Sequence, residues 1–141
     1  MESIAGQIAA ANDGVRRQWE IAVEADSIGS DEPYNAMAVL ASVLYDQSTD
    51  QCLDLADVFA AIERELVAAD GRMRNLLIVG LLEDLQNLSM SRGRDPDMWV
   101  KWMGPATLAG WRMVERLWSS SVSPADFNAF VDSAAGDISA D

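Results

Sequence analysis

The sequence predicts an all-α fold, a single-domain bundle of about six or seven helices, on three observations. Helix formers dominate, and alternating β-branched runs are nearly absent. Apolar residues recur every three or four positions along most of the chain. The breaks between these stretches are clusters of Gly, Pro, Asp and Ser, which end and begin helices. Half of the 141 residues are apolar, which supports one hydrophobic core and not two comfortable ones. Residues 1–141 are therefore read as one helical domain, with an acidic end at about 135–141 that frays.

Residues 3–26 form the first helical stretch, with Ile4, Ile8, Ala11, Val15, Trp19 and Val23 on one face. The turn signal Asn12-Asp13-Gly14 is the point where it can break. Ser27–Pro33 is a loop, and Pro33 suits the first turn of a second helix over about 33–47, with Tyr34, Met37, Leu40, Val43 and Leu44 inward. A polar connector follows, in which Ser48, Thr49 and Asp50 are candidate N-caps. The third helix, about 52–69, turns Leu55, Val58, Phe59, Ile62 and Leu66 to the core, and Asp70-Gly71 ends it.

Segment 72–90 contains LLIVGLL, which on its own would also fit a buried strand. Met73, Leu77, Leu81, Leu85 and Leu88 nevertheless keep a helical stripe for over four turns, and Leu76, Val79 and Leu82 widen it. A helix apolar around most of its girth belongs in the middle of a bundle, so 72–90 is predicted to be the central helix. Gly80 costs about 1 kcal/mol against Ala in a helix and so points to a closely packed neighbour. Beyond the loop 91–96, a short helix runs from Asp95-Pro96 to about Trp102. Pro105 opens another, to about Ser119, with Leu108, Trp111, Val114 and Trp118 on one face. A last short helix starts at Ser123-Pro124 and carries Phe127, Phe130 and Val131. The pairs 33–69 and 72–119 could stack as armadillo- or HEAT-like hairpins, although two pairs do not make a solenoid.

Composition removes several classes of chemistry. There is no histidine, so imidazole bases, Ser-His-Asp and Cys-His machinery and imidazole metal sites are out. Lone Cys52 cannot form an internal disulfide and suits a reducing cytoplasm. No P-loop, GxGxxG, GxSxG, HExxH or DxDxDG pattern occurs, and neither a metal nor a cofactor is expected. No run reaches the roughly 18 apolar residues of a membrane span.

Charge is the strongest global feature. The net charge is −13, and residues 20–70 hold twelve acids and one base, Arg64. Such a field repels nucleic acid and anionic membranes and attracts basic proteins, although an acidic surface also serves solubility alone. The candidate partner-binding acids are Glu24, Asp26, Asp31, Glu32, Asp46, Asp50, Asp54 and Asp57. Glu83 is a separate candidate, a buried functional carboxylate on the central helix; the alternative is a rim acid paired with Arg72, Arg74 or a base of another helix. The tryptophans at 99, 102, 111 and 118 are read as core, with a stacking pocket or partner hot spot as the alternative.

Ile62-Glu63, Asp70, Arg74-Asn75, Val79-Gly80, Leu82-Glu83, Leu85, Gly104-Pro105, Trp111 and Trp118 together resemble the pattern of small bacterial all-helical proteins of largely undescribed function. Some of these resemble immunity proteins of secreted polymorphic toxin systems. The resemblance spans about residues 34–118 and implies a helical inhibitor that masks a toxin, with no catalytic residue. The expected function is therefore a cytoplasmic immunity protein, monomeric or weakly dimeric, that binds a cognate toxin with a basic surface. The alternatives are a helical adaptor that binds a peptide or protein, and an enzyme that uses Glu83.

Overall fold

The chain was analysed as a computed structural model, in which the described residues are 3–26, 32–50 and 54–119. All regular structure among them is helical: α1 (Ile4–Ala9), α2 (Asp13–Asp26), α3 (Pro33–Asp50), α4 (Ala56–Ala68), α5 (Gly71–Asn75), a π-helical segment (Leu76–Leu82), α6 (Glu83–Ser91), a 3-10 segment (Pro96–Trp102) and α7 (Pro105–Ser119). The expected helix at 123–134, the fraying end, Asp31 and Cys52 lie outside the described residues, as do the side chains of Asp26, Asp50 and Trp118.

Asn12 breaks the first stretch into two helices. Its side-chain oxygen accepts the Val15 N–H at 3.1 Å and so caps α2. At the start of α1, Ser3 Oγ accepts from Gly6 in the same way. The expected caps of α4 are displaced: Ser48, Thr49 and Asp50 remain inside α3, and Asp54 instead accepts the Ala56 N–H at 2.9 Å. Asp70 caps α5 by accepting from Met73 at 2.8 Å, and Asp95 opens the 3-10 segment by accepting from Asp97.

The central helix exists and is longer than expected, running without interruption through α5, the π segment and α6. Its middle is not α-helical. Leu76–Leu82 forms wider π turns, and the Glu83 N–H still reaches back five residues to the Ile78 carbonyl. Six of these seven residues are buried, against α3 on one side and α7 on another. Gly80 marks a close approach, as predicted: a β-carbon there would sit 3.3 Å from Met37 Cβ and 3.3 Å from Tyr34 Cδ1. Tyr34 itself is not a core residue, being 47% exposed and packing only a ring edge on the central helix.

One continuous hydrophobic cluster joins α1–α7, with Met37, Leu40, Leu44, Phe59, Ile62, Leu77, Ile78, Trp99 and Trp111 fully buried. Residues 33–69 do not pack as a hairpin. α3 lies against α1, α2 and the central helix, whereas α4 lies against α1 and α7. The reason is the apolar girth of 76–82, which takes the inner face of α3 for itself. A stacked-pair solenoid is therefore not the arrangement; the helices surround a central one.

Candidate partner-binding surface

The acidic residues assigned to binding fall into two groups. Asp46 is exposed near the end of α3, and Asp54 and Asp57 are exposed at the start of α4. Asn12 Nδ2 donates to both Asp57 oxygens at 3.3 Å, which ties the α1–α2 turn to α4. Asp54 and Asp57 therefore also have structural duties. Glu24 and Glu32 are exposed near the opposite end of the α2–α3 pair. Asp46 and Glu32 stand fourteen positions apart, about 20 Å along a helix at 1.5 Å per residue. Asp46 and Glu32 thus stand near opposite ends of α3, and the described acids do not form one compact patch.

Between α2 and α3 runs an open trough of about 330 Å³. Ile21, Ala22, Val39 and Val43 give it an apolar lining, and Gln18, Ser42 and Asp46 add polar groups. Ile21 is 58% exposed and is the most exposed large apolar side chain among the described residues. Sequence reasoning missed this trough. Its one signal was Ile21, which lies off the Val15–Trp19–Val23 stripe and had no assigned place in the core.

Glu83 is half-buried on the central helix beside Asp84. Burial, and then the Asp84 charge, push the Glu83 carboxyl above its ordinary value; burial alone raises Asp84. The expected ion pairs of Glu83 with Arg72 or Arg74 do not form. Arg72 is exposed, and Arg74, only 6% exposed, donates Nη2 to the Ala69 carbonyl at 2.8 Å. Arg74 thereby satisfies a carbonyl at the C-terminal end of α4, where a cation also meets the negative end of the helix dipole. Among the described residues no three Asp, Glu, Cys or His side chains are placed to hold a metal ion.

Glu63 has a role the sequence did not disclose. Its Oε2 accepts the Ala106 N–H at 3.0 Å, and its Oε1 accepts the Thr107 N–H at 2.9 Å and the Thr107 hydroxyl at 2.8 Å. Pro105 has no N–H, and the Leu108 N–H bonds to the Gly104 carbonyl, so the first turn of α7 is fully satisfied. A residue of α4 thus caps α7 across space. A β-carbon on Gly104 would fall 2.5 Å from Glu63 Cδ, so a side chain at 104 would have to displace the capping carboxylate.

Trp99 and Trp111 are core, and Trp102 is partly buried against it. Trp99 stacks obliquely with Tyr45, Phe59 and Trp102 at centroid distances of 6.5, 6.0 and 6.1 Å, and its Nε1 donates to Ser89 Oγ at 2.9 Å. Trp111 is fully buried, and its carbonyl accepts from Gln86 Nε2 at 3.0 Å. Among the residues that carry the resemblance, Glu63, Asp70, Arg74, Gly80, Gly104-Pro105 and Trp111 therefore do structural work.

No helix among the described residues is long and apolar enough to cross a membrane. No curated protein and no solved structure matches the chain. Residues 6–119, which include every helix described here except the first two residues of α1, match one family model, and the chain belongs to that family, the Domain of unknown function (DUF7674).

Proposed function

We propose that this chain is an acidic helical binding protein that acts in the cytoplasm as the immunity protein of a bacterial toxin, neutralising it by covering a basic surface. The observation that carries this reading is the imbalance of residues 20–70, twelve acids to one base, with Glu20, Glu24, Glu32, Asp46, Asp54, Asp57 and Asp70 exposed among the described residues. Charge of that density speeds capture of a basic partner, while a few buried apolar anchors govern how long it stays. A nucleic acid would be repelled by the same field. The chain is read as a binder and not an enzyme: the neighbour that acts on Glu83 is another carboxylate, Asp84, and among the described residues no three acidic or thiol side chains are grouped to hold a metal.

Co-expression with the toxin domain encoded next to this gene tests the proposal. Neutralisation should restore growth, and the purified complex should be 1:1 and weaken steeply as salt is raised. A toxin left active, together with binding indifferent to salt, would remove the immunity reading. Glu83→Gln should leave neutralisation intact; turnover of a substrate that this substitution abolishes, with folding preserved, would favour the enzyme instead.

A further inference from the structure

We infer that the trough between α2 and α3 is the docking groove for a basic, amphipathic helix of the partner protein. This rests on the reading of the chain as a binder of a basic protein and adds where and how the partner sits. The shape is suited to a helix. Its lining runs from Gln18 to Ala22 on α2 and from Ala38 to Gln47 on α3, about 13 Å along α3 at 1.5 Å per residue, room for two to three turns of a partner helix. Its floor is apolar at Ile21, Ala22, Val39 and Val43, and the exposed positions Ala38 and Ser42 are small enough to admit a partner backbone closely.

Charge chooses among possible occupants. The chain's own C-terminal segment, from 119 onward, carries four Asp and no base, and a second copy carries −13 against −13. Both would meet like charge. A helix with a basic face meets Asp46 in the lining and Glu24 one turn beyond Ile21. Only two bases lie on α2. Arg16 is already engaged by Asp13 at 3.5 Å and Glu20 at 3.8 Å, which leaves Arg17, one turn before Ile21, as the local opponent of a basic ligand.

The test uses the full chain and a fluorescent synthetic helix of about three turns, with leucines on one face and lysines elsewhere, beside the same helix with glutamates. The lysine helix should bind with amide shifts confined to residues 18–25 and 38–47, and the glutamate helix should not. Ser42→Trp, at an exposed position that leaves the fold intact by circular dichroism, should weaken binding at least tenfold by filling the trough. Arg17→Glu should tighten it severalfold. Shifts spread over all the acidic positions, or binding unchanged by Ser42→Trp, would overturn the groove. So would a dimer in sedimentation that Ser42→Trp dissociates, since a second copy would then be the occupant. Toxin neutralisation that survives Ser42→Trp refutes the groove while sparing the immunity reading. A groove that binds the lysine helix as described, with no toxin neutralised, supports the groove and refutes only that reading.

Discussion

Glu63 and Gly104 act as a pair, because the carboxylate of one fills the volume that a β-carbon on the other would take. Removing the carboxylate orphans two backbone N–H groups and the Thr107 hydroxyl, so Glu63→Ala should cost about 2 kcal/mol, the upper range for losing an N-cap. Gly104→Ala should cost a similar amount by expelling the same carboxylate. The double variant should then be little worse than either single one, since both remove one interaction. Urea unfolding of the four proteins measures this; additive losses would show that the two positions act independently. At Glu83 the direction is opposite. Burial lifts its carboxyl above the unfolded value, so the native state holds more protons than the unfolded chain from the ordinary carboxylate range upward. Stability contributed through this group therefore falls as pH rises through that window. Glu83→Gln should raise the urea midpoint at neutral pH, and not at a pH below the window. A midpoint lowered at pH 7 would mean that the charged form has a partner.

Among the elements, the π segment matters most. By holding one more residue per hydrogen-bonded ring than an α-helix, Leu76–Leu82 turns almost every side chain into the core and sets the rotation of α6 relative to α5. Gln86 and Ser89 then face inward, where they bond to the Trp111 carbonyl and the Trp99 indole. Deleting one residue within 76–82 should let the segment relax to α-helix with α6 near its present phase, whereas inserting one should swing α6 by about 100° and break both bonds. Loss of cooperative unfolding and of the blue-shifted fluorescence of buried Trp99 would report it. Gly80→Val should separate α3 from the central helix at a cost of about 2 kcal/mol, seen in the same urea assay. The helix itself was legible in the Met73–Leu88 stripe, and Gly80 announced its neighbour. The π turns were not, because periodicity over seven uniformly apolar residues has no polar marker to fix its phase. The caps Asp70 and Asp95 sit beside the helices they start and were readable as punctuation, whereas Glu63 caps a helix 43 residues away, and no local pattern reports that distance.

For the whole molecule, the net charge of −13 opposes self-association as firmly as it invites a basic partner. The free protein should sediment as a monomer at low salt, and a dimer that forms only when charge is screened would identify apolar contact through an exposed face. The acidity was evident in the composition, but its arrangement was not. Of the expected binding acids, Glu24, Glu32 and Asp46 are exposed along the α2–α3 pair and Asp54 and Asp57 at the start of α4, and the apolar trough emerges only when α2 and α3 lie side by side. The capping of α7 by α4 also bears on how this family can change over time. A lineage that gains a side chain at 104 must surrender the long acid at 63, and it then needs Ser, Thr or Asp at 104 to end the helix from within. Relatives should therefore show either a glutamate with a glycine or a short residue with a local cap, and seldom a mixture. That paired inheritance would link two stretches of sequence that share no partner, ligand or chemistry beyond the geometry of one helix end.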